Sequence, residues 1–333
     1  MLPNKQIGKT LAKISIGVLL IGWLIQSGIL NVNVLLDEDT NQLRISFWYL
    51  AILLKPLSLI LLAYRWRRLL QIKDINLSFP ASFRLTTVAH LFMIVFPGMI
   101  ASDIARAYGL IKRINTRRSD IISVSIVDRI LGIYALFIIS TVSSVIFLLF
   151  KNSLFVTTEY KSQMMVIIML PISIFLIMNS IPILIKRTAI RELLDKLGRI
   201  LKKDYYLKLK SSFSFDIDSK SIIILLLVSL ANHLINIVLV VSVAQAVSDH
   251  LHPITQFILS SIGMAGNLIP LTPGGFGITE GVFAYLFLLV GSDNGAVISL
   301  ISRILSYSVF IALGFPMWVL ARSKVSANIS DVD

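Results

Sequence analysis

Eight apolar stretches, at about 12–30, 45–64, 83–111, 121–150, 163–185, 221–247, 254–290 and 296–320, alternate with short polar segments along this chain. A helix that crosses a bilayer needs roughly 20 apolar residues. Six of the stretches fit that description without interruption. The other two are broken, 83–111 by Pro97-Gly98 and 254–290 by Pro273-Gly274-Gly275-Phe276-Gly277. Irregular backbone survives at membrane depth only where protein buries it or where it lines a wet cavity. Each broken stretch is therefore expected to be a re-entrant hairpin. Proline stops the incoming half-helix, and glycine permits the reversal.

The polar segments set the orientation. Basic residues concentrate on the cytoplasmic side of membrane proteins. Lys5, Lys9 and Lys13 put the N-terminus inside, and the acidic run Asp37-Glu38-Asp39 puts loop 31–44 outside. Loop 65–84, with Arg65, Arg67, Arg68, Lys73 and Arg84, reads as inside, as does the basic segment after 83–111. The first hairpin thus enters and leaves by the cytoplasmic face. Segment 186–220 is the most basic and is expected to be cytoplasmic, with an interfacial amphipathic helix within it. The second hairpin is flanked by Asp249-His250 and by Gly291-Ser-Asp-Asn-Gly295, and enters from the outer face. The last span returns to Arg322 and Lys324, so both termini are cytoplasmic. The first apolar run is longer than a signal-peptide core and is read as a retained span.

These expectations combine into an all-α polytopic membrane protein, a single integral-membrane domain over residues 1–333. It has two inverted repeats, at about 12–150 and 163–320, each with three spanning helices and one re-entrant hairpin. An odd number of spans per half forces the second half upside down. The two helices that follow the hairpins share a pattern: Ser125-Ile-Val-Asp-Arg129-Ile-Leu-Gly and Ser299-Leu-Ile-Ser-Arg303-Ile-Leu-Ser.

Composition agrees. The chain is 56% hydrophobic with a mean hydropathy of +0.84, values that belong to a multi-pass membrane protein. The net charge of +13 sits in short loops, so nucleic acid is not an expected partner. Cysteine is absent, which removes disulfides, thiol nucleophiles and cysteine metal sites. No Walker loop, nucleotide fingerprint or metal motif occurs. Neither a catalytic residue nor a metal or cofactor is assigned, and the chain reads more as a transporter than an enzyme.

Ionisable residues inside membrane segments are costly and mark function. The candidate binding or transport residues are Asp103, Arg106, Arg129, Asn267, Glu280 and Arg303. Pro97, Gly98, Pro273, Gly274, Gly275 and Gly277 form the turns. Ser102-Asp103 is placed to cap the half-helix that leaves the first turn. Arg106 lies three residues after Asp103 and suits a local ion pair. Arg129 is expected to snorkel or pair with adjacent Asp128, and Arg303 to pair with Glu280 or to clamp a phosphate or carboxylate. The glycines after Pro273 can offer N–H groups to an anion. Asn232, His233 and Asn236 share one helix face and suit interhelical hydrogen bonding. Lys55, in mid-span, is expected to face the bundle and to find an acidic partner.

The motifs Pro97-Gly98, Asp103, Arg106, Asp128-Arg129, Pro273-Gly-Gly-Phe-Gly with Glu280-Gly281, and Arg303 resemble those of the lysylphosphatidylglycerol synthase transmembrane region family. Its members are also called flippase-like domain proteins. The resemblance runs nearly end to end. It implies translocation, across the cytoplasmic membrane, of an anionic or aminoacylated phospholipid or a lipid-linked sugar. It also implies membrane lipids as partners (an anionic phospholipid or a polyprenyl-linked glycan), with a separate lipid-modifying or glycan-synthesis enzyme nearby. No stretch reads as the soluble aminoacyl-transfer domain that some members carry, so lysyl transfer is not expected. Gly132 stands where the resemblance leads us to expect an acid. The competing reading is a membrane glycosyltransferase, or its accessory subunit, acting on polyprenyl phosphate with Asp103 as its acid.

Overall fold

The computed structural model describes residues 26, 42–95, 100–114, 118–154, 161–185, 218–247, 249–268, 272 and 276–330. Among them the chain is all-helical, with nine α-helices and no strand. They are α1 (Gln42–Ile72), α2 (Phe79–Val95), α3 (Ile100–Ile111), α4 (Arg118–Leu154), α5 (Lys161–Ile185), α6 (Ser219–Ala246), α7 (Pro253–Gly263), α8 (Ile278–Leu288) and α9 (Gly295–Ser330). A 3₁₀ turn, Met264–Leu268, prolongs α7. Five helices, α1, α4, α5, α6 and α9, are long and apolar enough to cross a membrane. The expected first span, apart from residue 26, and nearly all of the basic segment 186–220 lie outside the described residues. So do Pro97, Gly98, Pro273, Gly274 and Gly275.

The two interrupted stretches each resolve into a pair of short helices, α2 with α3 and α7 with α8, and the members of each pair pack together. At about 1.5 Å per residue, an 11-residue helix reaches only about 16 Å, half the thickness of a hydrocarbon core. Both α7 and α8 have that length.

Among the described residues, helices α1 and α6 share the most extensive interface. Their hydrogen bonds step in opposite directions along the two chains, from Arg44 on the Ala246 carbonyl to Arg65 on Ser229, so they run antiparallel. Around that pair the packing repeats. Helix α3 packs on α4 as α8 packs on α9, α2 on α9 as α7 on α4, and α1 on α2 as α6 on α7.

The two largest apolar cores among the described residues lie in different helix sets. One gathers Trp66, Leu69, Leu70, Leu85, Leu110, Ile121 and Leu225 around α3. The other gathers Ala51, Phe147, Val243, Ile258, Phe283 and Phe287 around α7 and α8. Close approach relies on glycine. A Cβ on Gly295 would lie 2.3 Å from the Phe283 carbonyl oxygen, so only hydrogen lets α9 start against α8. A Cβ on Gly314 would press on the Thr87 carbonyl at 3.0 Å, where α9 crosses α2.

One loop expectation is corrected. Residues 65–84 were expected to be a cytoplasmic loop, but α1 continues through Ile72. The turn that follows is closed by Arg67 Nε donating to the Leu77 carbonyl at 2.7 Å, with Asp74 at φ 54°. On the same side Asp218 caps α6, and the Ser221 hydrogen bonds hold its carboxyl below the usual range.

A charged cavity between the hairpin helices

Three long helices carry residues inward at one recurring spacing, and a fourth adds to them. On α4 they are Ser125, Asp128, Arg129 and Gly132; on α9, Ser299, Ser302, Arg303 and Ser306; on α6, Ser229, Asn232, His233 and Asn236. Positions i, i+3, i+4 and i+7 fall on one helix face. Helix α1 adds Lys55, Ser58 and Arg65. Most of these side chains line a cavity of about 240 Å³, closed further by Asp103 and Arg106 of α3, His90 of α2 and Asn267 of the 3₁₀ turn.

On one side of the cavity lies a charge cluster centred on Asp128. Arg65 Nε donates to Asp128 Oδ1 at 2.6 Å, and Arg106 Nη2 to Asp128 Oδ2 at 2.7 Å. Arg106 Nη2 also donates to Asp103 Oδ1 at 3.1 Å, while Arg129 Nη1 lies 3.6 Å from Asp103 Oδ2. Arg106 stacks on the Trp66 ring, its guanidinium carbon 4.7 Å from the ring centre. Arg65, Arg106 and Asp128 are all buried; Asp103 and Arg129 keep 20% and 23% of their side chains exposed.

The second cluster is centred on Glu280. Helix α8 starts from Gly277, whose φ of 83° suits glycine. The Gly277 N–H donates to Glu280 Oε2 at 2.6 Å. Arg303 Nε donates to Glu280 Oε1 at 2.8 Å and Arg303 Nη2 to Asn267 Oδ1 at 3.3 Å. Asn267 Oδ1 also accepts from Thr279 at 3.0 Å, and Arg303 lies over the Phe276 ring. Glu280 is wholly buried and does not reach the cavity; Arg303 does. The carboxylate thus holds the guanidinium rather than presenting itself to a ligand.

Between the clusters, a polar ladder joins α1 to α6. Ser58 donates to Asn232 Oδ1 at 2.7 Å and accepts from Asn236 Nδ2 at 3.0 Å; Lys55 Nζ donates to Asn236 Oδ1 at 2.8 Å. His233 Nε2 donates to the Gly132 carbonyl at 2.8 Å.

The sequence expectations fare unevenly here. Asp103, Arg106, Arg129, Asn267 and Arg303 all line one cavity, and the Arg106–Asp103 and Arg303–Glu280 pairs form. The interhelical roles of Asn232, His233 and Asn236 hold. Three details differ. Helix α3 already begins at Ile100, so Ser102 and Asp103 sit in its first turn, and Asp103 turns to Arg106 and Arg129 instead of capping. Arg129 pairs with Asp103, not with adjacent Asp128. Lys55 finds an amide, Asn236, and the face of Phe310, not an acid. Two residues of the site were missed, Arg65 and the role of Asp128. A signal for the second existed: neighbours in sequence point about 100° apart on a helix, so Asp128 and Arg129 cannot share a partner direction.

Long apolar helices around a buried, charged cavity define a multi-pass membrane protein with a polar site inside its helix bundle. The model of the lysylphosphatidylglycerol synthase TM region family matches residues 10–314, and the chain belongs to that family. Membership places it among membrane proteins of lipid modification or translocation. No curated protein and no solved structure matches it.

Proposed function

We propose that this chain carries an anionic lipid headgroup across the cytoplasmic membrane through the cavity, while the acyl tails stay in lipid. The observation that carries the reading is the cavity's charge. Lys55, Arg65, Arg106, Arg129 and Arg303 meet inside a bundle of apolar helices. Each is costly at membrane depth, and together they offer a headgroup what water otherwise supplies.

The reading includes two inverted halves, and a recurring separation in sequence supports them. Arg129 and Arg303 are separated by 174 residues, and so are Ser58 and Asn232, which hydrogen-bond to each other where α1 and α6 cross. A residue bonded to its own counterpart is what a pseudo-twofold axis through the α1–α6 pair produces. The same separation relates Ser140 to Gly314 and Ser261 to Thr87. Ser140 donates to the Ser261 carbonyl, and Gly314 approaches the Thr87 carbonyl. In this reading α2–α3 and α7–α8 are re-entrant hairpins from opposite faces, with Pro97-Gly98 and Pro273-Gly274-Gly275 at their tips and both termini cytoplasmic. Inverted repeats of this kind allow one half to rock against the other around a fixed site.

Sugar transfer is less well supported. Its acid, Asp103, is held by Arg106 and Arg129.

The experiment is leaflet-to-leaflet movement of a fluorescent phosphatidylglycerol in proteoliposomes. The wild type is expected to accelerate it over protein-free vesicles. Glu280→Gln leaves Arg303 without its counter-charge and is expected to slow it at least about tenfold, the rate change that about 1.4 kcal/mol produces. Unchanged movement in the variant would contradict the reading.

A further inference from the structure

Within the transport reading, on which this inference rests, the cavity's charges do not balance. Five cations, Lys55, Arg65, Arg106, Arg129 and Arg303, face three carboxylates, Asp103, Asp128 and Glu280. Glu280 neutralises Arg303. Asp128 and Asp103 neutralise two of the three remaining arginines. Two positive charges are left over among the described residues, and their places can be identified.

The first is Lys55. Its ammonium touches the Asn236 amide oxygen at 2.8 Å and lies 5.2 Å from the centre of the Phe310 ring. Both contacts suit a cation, yet neither supplies a negative charge. The second is the arginine pair of Asp103. Arg129 reaches that carboxylate only at 3.6 Å, and Arg106 already shares one nitrogen between Asp103 and Asp128. Arg106 also keeps a charged donor unused, since its Nε is buried and has no hydrogen-bond partner. That atom has no accessible surface, so Arg129, which keeps 23% of its side chain exposed, is the member of the pair that a ligand oxygen reaches.

We propose that the cavity is built for a headgroup bearing two negative charges at its phosphate end, a phosphomonoester dianion or a diphosphate, in preference to a singly charged phosphodiester. Lys55 takes one charge from the α1–α6 side. Arg129, the loosest of the pairs in the Asp103 cluster, takes the other. A singly charged diester leaves one of these cations uncompensated inside the bundle, where screening by water is weak.

The test is a binding titration on the full chain purified in detergent. The probes are a short prenyl monophosphate, a short prenyl diphosphate and a short-chain phosphatidylglycerol. Near neutral pH the first two are expected to bind at least about tenfold more tightly than the diester, since a unit charge about 6 Å away at an effective dielectric of about 20 exceeds that difference. Lowering the pH below about 6, where a phosphomonoester dianion takes up one proton and becomes singly charged, should erase the monophosphate's advantage over the diester. Lys55→Met should weaken binding of the doubly charged probes about tenfold more than that of the diester, so that the ratio between them falls toward one, and Lys55→Arg should restore the ratio. If Lys55→Met fails to fold, Arg129→Gln makes the same comparison. Equal binding of all three probes, or a preference that survives these substitutions, would overturn the inference. If the diester still crossed the membrane in the leaflet assay, the transport reading would stand without it. If no probe bound and none crossed, both would fall.

Discussion

Arg65 is the residue whose role is least legible in the sequence. It sits at the end of an apolar stretch, next to Arg67 and Arg68, and loop charge alone assigns it to the cytoplasmic surface. In the folded chain it is buried, with Nε on Asp128 and Nη1 on Ser229. It thereby ties α1 to both α4 and α6. Removing one member of a buried ion pair leaves the other uncompensated, at a cost of about 3–5 kcal/mol. Arg65→Met is therefore expected to lower the detergent unfolding midpoint sharply. Arg68→Met, on the same helix but only partly buried, should change stability by less than about 0.5 kcal/mol. Equal midpoints for the two variants would remove Arg65 from the framework of the site. Arg106–Asp103 and Arg303–Glu280 were legible because one is an i, i+3 pair and the other joins the only charges in two neighbouring apolar stretches. The Asp128 pairs were not legible, because their partners lie 63 and 22 residues away with no shared periodicity.

At the scale of elements, the breaks in the hydrophobic pattern were the most informative feature. The interruption of 254–290 yields two 11-residue helices and a 3₁₀ turn, and that of 83–111 yields α2 and α3. Span limits agreed within a few residues for α4, α5 and α6, since those helices begin and end where polarity changes. Helix α1 ran longer than expected because its last two turns are amphipathic: Trp66, Leu69 and Leu70 face the core while Arg67 and Arg68 are only partly buried. Packing between short helices depends on glycine in a way the pattern does not announce. Gly295→Ala places a methyl against the Phe283 backbone, where no side-chain motion relieves it. It is expected to destabilise the α8–α9 contact by about 1–3 kcal/mol. Gly281→Ala has open space within 4 Å and should be neutral or slightly stabilising. Thermal unfolding of both variants checks the pair, and a tolerated Gly295→Ala would show that α8 and α9 have room to separate.

For the whole molecule, the described helices pack apolar cores around a polar cavity that the α1–α6 ladder lines. Membrane class and the all-helical fold followed from composition and hydropathy. The cavity did not, because it depends on how four polar helix faces converge, and each face taken singly reads as ordinary interhelical hydrogen bonding. Convergence is what gives the site its excess positive charge. The central claim is that this charged cavity opens to water on both sides of the membrane as a headgroup passes. The chain contains no cysteine, so a single one introduced at Ser302, which lines the cavity, reports on it alone. The decisive measurement is the reaction rate of Ser302→Cys in proteoliposomes with membrane-impermeant thiol reagents applied from each side, one anionic and one cationic. The account predicts modification from both sides, with the anionic reagent faster by about tenfold or more at low salt. Modification from one side only, or a faster cationic reagent, would contradict it.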